Sequence, residues 1–355
     1  MNPVLRPAAI AAIVLAVIAA AAALYVLHSI LIPFVLAGLL SILFRPLVSK
    51  LRSWKFPMAV CLVVVMLIAS GALWGIYTIS AAGVSSAIEK APVYQQRLAD
   101  LNVQMNGMLQ RMSFQMTGRS SALRWDTMLD MQTITSAATS TVGSVVSFLG
   151  DGFLVLLYLV FMISSSELFS KKLQAAAGSM GSMDLVQIYD TVNRKVLQYL
   201  RVKTLFNLVN GLIVWAVMAI FDVDFAPLVG LLAFLFHYIP NIGSFITTAL
   251  PGAIALVQTG SFGHAALVVA ILIVIQNVIG NVIEPKVMGQ SLDLSPVVVL
   301  ISLIFWGWMW GIVGMILSVP IMAVIQTILD AIPGTRPLAI LMGGSAPRTE
   351  PVPNE

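Results

Sequence analysis

Long, uninterrupted apolar runs dominate the chain, and only a few polar segments separate them. A run of about 20 apolar residues is long enough to cross the ~30 Å hydrocarbon core of a bilayer as an α-helix. A β-barrel would instead alternate apolar and polar residues over short strands. The pattern predicts an all-α integral membrane protein with about eight transmembrane segments, at residues 8–27, 30–44, 57–83, 142–163, 205–221, 225–257, 262–283 and 297–329. For 30–44, 225–257 and 297–329, a full crossing and a re-entrant segment are both open.

The composition agrees with this pattern. Of the 355 residues, 59% are hydrophobic and 10% are charged, whereas a soluble domain carries about 25% charged residues. Too little charge is present to cover a water-exposed surface, so a soluble enzyme, a nucleic-acid-binding domain and a disordered protein are excluded. Cys61 is the only cysteine, which excludes a disulfide within the chain and a metal site built from several cysteines.

The basic residues predict the orientation in the membrane. The loop after the second run carries Arg45, Lys50, Arg52 and Lys55 and no acidic residue. The loop 164–204 carries six basic and three acidic residues. Loops rich in Lys and Arg remain in the cytoplasm. We therefore expect a multi-pass membrane protein with both termini in the cytoplasm.

The polar segments divide the chain into five predicted parts. Three transmembrane spans precede an extracytoplasmic helical segment. A fourth span with a cytoplasmic amphipathic helix, a C-terminal repeat of a helix plus a broken helix, and a flexible cytoplasmic tail then follow. These parts cover residues 1–83, 84–141, 142–203, 204–330 and 331–355.

The extracytoplasmic segment contains apolar residues at heptad spacing. Steps of three and four residues place one side of a helix in contact with a partner. Two interpretations are open, because the partner is either another helix of the same chain or the same helix of a neighbouring subunit. The seam consists of Leu98, Leu101, Met105, Met108 and Met112.

The last third of the chain contains a candidate internal repeat at an offset of 69 residues. Asp224 and Pro227 correspond to Asp293 and Pro296, and further matches pair Gly211 with Gly280, Phe236 with Phe305, and Pro251 with Pro320. The eight-span count predicts two parallel copies of a helix followed by a broken helix, and chance agreement among apolar residues is the alternative. The expected helix-breaking residues are Pro251, Gly311, Gly314 and Pro320.

The first of the two broken helices carries the clearest candidate for a substrate path. A break inside a membrane frees backbone N–H and C=O groups, which must be buried in protein or face a wet cavity. For the neighbouring His237, a structural role and a proton-carrying role are both open. The predicted substrate-path residues at this break are Tyr238, Pro240, Asn241 and Gly243.

The run 262–283 provides a second group of polar candidates. Polar side chains inside a membrane are costly when they face lipid, so they are expected to face protein or water. Glu284 either carries a proton or cation or pairs with Lys286 at the membrane boundary. The predicted substrate-path residues here are Gln276, Asn277, Asn281 and Glu284.

Motifs for ATP use and for hydrolytic chemistry are absent from the sequence. It contains no Walker A motif, Rossmann fingerprint, His-Glu-x-x-His or Gly-x-Ser-x-Gly. We therefore predict no enzymatic activity, no cofactor and no metal site. Any transport would be driven by a gradient.

Three segments resemble the signature of the autoinducer-2 exporter family of bacterial permeases: Tyr238-Ile-Pro-Asn-Ile-Gly243, Ile283-Glu-Pro-Lys-Val-Met-Gly289 and Gly311-Ile-Val-Gly-Met-Ile-Leu-Ser-Val-Pro320. The resemblance implies a transporter of the bacterial inner membrane. Such a transporter exports autoinducer-2, a small polar furanone-type signal, or exchanges sodium or lithium for protons. It also implies a homo-oligomer, specifically a pentamer. Asn241 departs from the family pattern, which has Tyr after the proline.

These observations lead to one main functional hypothesis and two rivals. The main hypothesis is a secondary permease that exports a small polar solute by alternating access around the broken helices. The first rival is a sodium or lithium/proton antiporter that uses Glu284. The second is a membrane scaffold that uses the heptad seam. The expected partners are the lipid bilayer, a small polar solute or cation, and further copies of the chain, with no nucleic acid.

Overall fold

The structure, a computed structural model, describes the backbone of residues 5–117, 131–180, 185–288 and 293–344. Within these ranges the side chains of residues 5–10, 13, 14, 17, 108–117, 131–151, 177–180 and 288 are not described. Every regular element in the described residues is a helix. The prediction of an all-α integral membrane protein is confirmed.

Eleven α-helices and one π-helical segment make up the described part. Seven of these helical stretches are long and apolar enough to cross a membrane, and the count of eight spans stays a prediction. The helices are α1 Leu5–Val26, α2 His28–Ser53, α3 Met58–Thr117, α4 Met131–Met180, α5 Leu185–Ile220, α6 Ala226–Phe236, α7 Ile242–Thr259, α8 Phe262–Asn277, α9 Glu284–Met288, α10 Pro296–Ala331 and α11 Arg336–Met342, with the π-helical segment Val278–Ile283 between α8 and α9.

Several helices differ in extent from the predicted elements. The predicted amphipathic helix and the span after it form one continuous helix, α5, because no proline or glycine separates them. Likewise, α3 runs from a predicted span into the segment predicted to be extracytoplasmic. Helix α11 lies within the segment predicted to be a flexible tail, and residues 345–355 of that tail lie outside the described part.

The heptad seam is only partly described. Leu101 is buried and Leu98 and Met105 are half-buried, whereas neighbouring Val103 is exposed. The side chains of Met108 and Met112 lie outside the described residues. The seam thus lies on the more covered side of α3, and its partner stays a prediction.

The chain folds into two compact units that are discontinuous in sequence. The first unit comprises Met1–Ala69, Asp151–Arg201 and Gln290–Glu355. The second unit comprises Ser70–Gly150 and Val202–Gly289.

The first unit has an apolar core in two parts. One part joins α2, α3 and α4 around the fully buried Cys61 and Leu159. The other packs Trp306 and Trp310 of α10 against α1 and α2. The indole Nε1 of Trp310 donates a hydrogen bond to the carbonyl oxygen of Leu24 at 3.1 Å, so this tryptophan is anchored at both its apolar and its polar end.

The second unit packs α5, α6, α7 and α8 around one apolar cluster. Met218 of α5, Ala233 of α6, Ala255 of α7 and Leu272 of α8 are fully buried in it. The backbones of α5 and α6 also come close together at Gly211, where a Cβ atom would lie 2.7 Å from the carbonyl oxygen of Gly230. Small residues at this contact allow the two helices to approach.

The predicted broken helix 225–257 is a helical hairpin of α6 and α7 in the second unit. The side-chain amide of Gln258, near the end of α7, donates to the carbonyl oxygen of Asp222 at 2.7 Å, and its oxygen accepts from the backbone N–H of Asp224 at 2.8 Å. A straight helix of this length would separate these residues by roughly 50 Å. The segment is broken as predicted, but it folds back on itself instead of continuing straight.

The predicted broken helix 297–329 is also folded back, within α10 of the first unit. Gly311 has a φ of 63° and a ψ of −146°. The hydroxyl of Ser302 donates to the carbonyl oxygen of Ser318 at 3.2 Å, although a straight helix would place them about 24 Å apart. The arms 296–310 and 312–331 therefore run beside each other.

The two hairpins share contacts at corresponding positions. Gln258 bonds to the backbone of Asp224, 34 residues before it. Gln326 donates to the carbonyl oxygen of Asp293, 33 residues before it, at 2.6 Å. Each first arm also begins with a proline in its first turn. These matching contacts support the predicted repeat.

Replacing Gln258 with Leu is expected to lower the free energy of unfolding by about 1–3 kcal/mol, because two hydrogen bonds at the base of the hairpin are lost. The loop that these bonds hold contains Asp222 and Phe225 at positive φ, a conformation that costs energy in residues other than glycine. Thermal unfolding of the purified protein in detergent measures the loss. Gln95→Leu, at an exposed position of α3, is the control and should change stability by less than about 0.5 kcal/mol. Equal stability of the two variants would mean that the hydrogen bonds of Gln258 do not stabilise the base of the hairpin.

Candidate functional site

The second unit contains a group of polar side chains packed between otherwise apolar helices. We call this group the polar cluster. Asn207 and Asn210 are fully buried, and Lys203, His237, Thr247 and Gln276 are each more than nine-tenths buried. The polar cluster consists of Lys203, Thr204, Asn207 and Asn210 on α5, His237 and Tyr238 between α6 and α7, Thr247 on α7, Gln276 on α8 and Glu284 on α9.

A buried ion pair lies at one end of the polar cluster. The Lys203 ammonium contacts Oε1 of Glu284 at 2.5 Å, and both side chains are about one-tenth exposed. His237 Nε2 lies 3.7 Å from the other carboxylate oxygen, Oε2. Removing two charges from water is costly unless each finds a close partner. Glu284 thus pairs with Lys203, and Lys286, considered as its partner at the membrane boundary, is exposed.

A chain of side-chain contacts continues from the ion pair to α7. Asn210 Nδ2 lies 3.4 Å from His237 Nδ1. Gln276 Nε2 donates to Asn210 Oδ1 at 2.9 Å and lies 3.2 Å from Thr247 Oγ1. Four successive contacts therefore link Glu284 to Thr247, through His237, Asn210 and Gln276.

The side-chain oxygen of Gln276, inside this chain of contacts, has no partner among the described residues. Gln276 is 6% exposed, and its Oε1 has no hydrogen-bond partner among the described residues. A buried acceptor left unpaired costs about 1–3 kcal/mol. A solute hydroxyl that donates to Oε1 would recover this energy, so the site favours a ligand with a donor group.

Two further contacts hold the break between α6 and α7 against α5. The Tyr238 hydroxyl lies 2.7 Å from the Thr204 hydroxyl. With its amide oriented to satisfy both groups, Asn207 donates to the Lys203 carbonyl oxygen at 3.0 Å and accepts from the Tyr238 backbone N–H at 3.2 Å. The backbone that the break frees thus finds a side-chain partner inside the protein, as a membrane interior requires.

Local helix geometry explains why these side chains meet. Lys203, Asn207 and Asn210 are spaced by four and three residues, so they share one face of α5. Gln276 and Glu284 would be about 80° apart on a regular α-helix. The π-helical segment Val278–Ile283 lies between them, and its wider turns turn the chain less per residue. Both side chains consequently reach α5, Gln276 at Asn210 and Glu284 at Lys203. Such segments are frequent at functional sites.

The remaining candidates at the break shape the backbone instead of joining the polar cluster. Asn241 has a φ of 62° and is exposed, and its side chain does not cap α7. Asparagine adopts positive φ more readily than most residues. Pro240 is half-buried, and Gly243 is buried where a Cβ would contact the carbonyl oxygen of Phe236.

Asn277 and Asn281 do not join the polar cluster. Both are exposed on the other side of the α8 helix, among exposed apolar residues such as Val278 and Val282. Asn281 Nδ2 donates to Asn277 Oδ1 at 2.9 Å, and Asn277 Nδ2 donates to the Ile273 carbonyl oxygen. Asn277 and Asn281 therefore lie apart from Gln276 and Glu284.

The predicted helix-breaking residues also separate into two kinds. Gly311 lies at the turn of the α10 hairpin, and Gly314 lies just after it, where a Cβ would contact the Trp306 carbonyl oxygen. Pro251 and Pro320 lie within α7 and α10, and each helix continues past its proline. The prediction that these two prolines divide the helices is wrong, because the helices accommodate them after the turn.

Five residues of the polar cluster have no site role assigned from the sequence: Lys203, Thr204, Asn207, Asn210 and Thr247. Lys203 lies at the end of a basic loop, where its charge serves to predict the orientation of the protein in the membrane. The spacing of Lys203, Asn207 and Asn210 in an otherwise apolar helix is the signal that indicates their shared face.

Within the described residues, no group of three or more His, Cys, Asp or Glu side chains could hold a metal ion.

A sequence model of the AI-2E family transporters matches residues 13–334 of the chain. The chain belongs to this family. It is therefore a membrane permease, and the resemblance noted from its motifs is confirmed.

Individual AI-2E family members are similar over nearly their whole length. The AI-2 transport protein TqsA of Escherichia coli K12 is 33% identical over 315 residues, which cover 88% of this chain and 89% of TqsA. The putative transport protein YhhT of the same strain is 32% identical over 331 residues, 92% of each chain. A putative transport protein of Haemophilus influenzae is 29% identical over 319 residues, 88% of this chain and 90% of the relative.

Proposed function

We propose that this AI-2E family permease exports a small polar solute of the autoinducer-2 type, and that the solute passes the polar cluster. The observation that carries the proposal is the buried chain of polar side-chain contacts from Glu284 to Thr247 beside the break between α6 and α7. The similarity to TqsA, an AI-2 transport protein, supports the choice of solute. Secondary transport is proposed because the sequence contains no Walker A motif.

The charges of the polar cluster favour a neutral solute over an ion. Lys203 and Glu284 neutralise each other at 2.5 Å, so the pair leaves no net charge to attract a cation or an anion. Hydroxyl, amide and imidazole groups make up the rest of the cluster. Such groups recognise a polyhydroxylated solute by hydrogen bonding, and small-molecule sites generally contain a few placed polar groups within an apolar surround.

Gln276→Leu is expected to reduce flux of autoinducer-2 in proteoliposomes by about tenfold or more, because the variant removes the unpaired acceptor and the link between Asn210 and Thr247. A site that hydrogen-bonds its substrate loses discrimination strongly when a partner is removed. Asn277→Leu is the matched control: it changes the neighbouring amide on the exposed face and should retain flux. A panel of neutral polar, anionic and cationic solutes tests the substrate class. Equal flux for the two variants would show that the solute does not pass Gln276 in the polar cluster.

A sodium or lithium/proton antiporter is the second candidate, and the contact between His237 and Glu284 is the observation that favours it. Two titratable groups at 3.7 Å can release a proton when a cation binds and take it up again when the cation leaves. Sodium flux driven by a pH gradient in the same proteoliposomes separates the candidates. Flux of autoinducer-2 without any response to sodium supports the exporter and rejects the antiporter.

We also propose that the protein lies in the bacterial inner membrane with both termini in the cytoplasm and works as a homo-oligomer, specifically a pentamer. The distribution of Lys and Arg supports the orientation, and the resemblance of the motifs supports the oligomer. Labelling of single cysteines near each terminus tests the orientation. The native mass of the protein in detergent tests the number of subunits.

A further inference from the structure

The first unit contains two adjoining cavities where α2, the second part of α4 and the first part of α5 meet. Their volumes are about 650 Å³ and about 600 Å³, and both are lined by Ile42, Arg45 and Asn193. The larger cavity has a mostly apolar wall, formed by residues such as Phe34, Val35, Leu39, Phe161 and Met162. The wall of the smaller cavity is also mostly apolar, and Gln187, Asp190 and Arg194 add polar and charged groups to it. The combined space is therefore apolar over most of its wall and has charged side chains at one end.

Asn193 stands where the two cavities meet. It is 8% exposed, and its Nδ2 has no hydrogen-bond partner in the part of the chain that the structure describes. A buried donor without a partner is unfavourable, and native proteins rarely leave one. This amide therefore points to an occupant that supplies an acceptor oxygen.

The charges around the cavity favour an anionic acceptor. Arg45 and Arg194 line the polar part, and Asp190 lies one helical turn before Arg194. The two arginines outweigh the single carboxylate. Arginine binds phosphate oxygens with several donors in a fixed geometry. A water-soluble anion would use only this polar part and would leave the apolar wall unexplained.

We propose that the cavity binds one anionic glycerophospholipid. Its phosphate accepts hydrogen bonds from Asn193, Arg45 and Arg194, and one acyl chain lies along the apolar wall between α2 and α4. Arg45 begins the basic loop predicted to be cytoplasmic, where anionic headgroups attract basic residues. The proposal concerns the first unit alone and does not depend on the polar cluster or on the solute.

Native mass spectrometry of the full-length protein in detergent tests the proposal with phosphatidylglycerol and phosphatidylcholine of identical acyl chains. We expect one retained phosphatidylglycerol, bound at least about fivefold more tightly than phosphatidylcholine. Arg45→Gln and Arg194→Gln should each weaken phosphatidylglycerol binding about fivefold, the equivalent of ~1 kcal/mol for one basic residue near an anionic lipid. Lys50→Gln is the control, because this basic residue is near Arg45 in sequence but does not line the cavity.

Two further variants keep the test decisive. Asp190→Asn should tighten phosphatidylglycerol binding by about two- to fivefold, since the variant removes the carboxylate that opposes the phosphate. Asn193→Leu should weaken it, and thermal unfolding shows whether that variant remains folded. Equal binding of the two lipids, or a loss in Lys50→Gln as large as in Arg45→Gln, would overturn the proposal. Displacement of the bound lipid by millimolar inorganic phosphate would also overturn it, because a site for free phosphate needs no acyl chain.

Discussion

Glu284→Gln is expected to lower the free energy of unfolding by about 3–5 kcal/mol and to abolish transport. The variant leaves the Lys203 ammonium without its partner, in a position where that side chain is about one-tenth exposed. Breaking a buried ion pair by removing one member costs this much because the remaining charge stays buried and uncompensated. Lys203→Met should have an effect of similar size, since it leaves the carboxylate of Glu284 with only His237 beside it.

The double variant Lys203→Met/Glu284→Gln distinguishes stability from function. Removing both charges at once avoids the buried unpaired charge, so most of the lost stability should return. Transport should not return, because the double variant still lacks the carboxylate that contacts His237 in the polar cluster. Thermal unfolding and proteoliposome flux of the two single variants and the double variant form a double-mutant cycle, which isolates the coupling between the two residues.

The control for this cycle is Lys286→Gln, at an exposed basic residue two positions after Glu284. It should change stability by less than about 0.5 kcal/mol. If Glu284→Gln is no less stable than Lys286→Gln, then Glu284 is not held by a buried ion pair, and the assignment of the polar cluster as a charge-neutral site is wrong.

The comparison of Glu284 with Lys203 shows what the sequence could provide for the site. Glu284 and Gln276 were predicted because polar residues in a long apolar run are unusual and need a protein or water partner. Lys203 lies next to a basic loop, where a lysine is ordinary. Helical spacing assigns residues to a face of their own helix, but it does not identify the helix opposite that face. The pairing of Lys203 with Glu284, 81 residues later, therefore required the tertiary structure.

The two hairpins show a similar division. Proline, glycine and polar residues indicated where helical hydrogen bonding stops, and the breaks at residues 237–241 and at Gly311 lie at those places. Those residues do not specify the angle between the two arms. That angle depends on packing after the turn, including the contact between Ser302 and Ser318. The sequence therefore predicted broken helices but not their reversal.

The sequence did not predict the glutamine contacts at the base of each hairpin, for a different reason. The offset of 69 residues aligns the aspartates and prolines, whereas Gln258 and Gln326 are separated by 68 residues. The same offset aligns Pro251 with Pro320, after the two turns, so the one-residue difference lies between these prolines and the glutamines. These contacts are recognised only when each glutamine is seen to bond to the backbone before its own first arm.

The second large effect is expected from Gly243→Ala. An added Cβ would contact the Phe236 carbonyl oxygen and lie 2.7 Å from the Cα of His237. Both contacts are with backbone, which cannot move aside as a flexible side chain can. Overpacking of this kind costs about 1–3 kcal/mol or more. It should also displace His237 from Glu284, so we expect flux to fall more than tenfold.

Gly314→Ala provides the matching test in the first unit. Its Cβ would contact the Trp306 carbonyl oxygen and lie 2.8 Å from the Cβ of Trp310, so a similar loss of stability is expected. Gly75→Ala is the control, because nothing lies within 4 Å of a Cβ at Gly75 and alanine is the better helix former by up to about 1 kcal/mol. Thermal unfolding of the three variants compares the hairpins directly. If Gly243→Ala or Gly314→Ala is as stable as Gly75→Ala, that hairpin does not fold back as tightly at its glycine as the structure requires. Similar losses in both variants mean that the two hairpins depend on glycine in the same way, as copies of one repeat should.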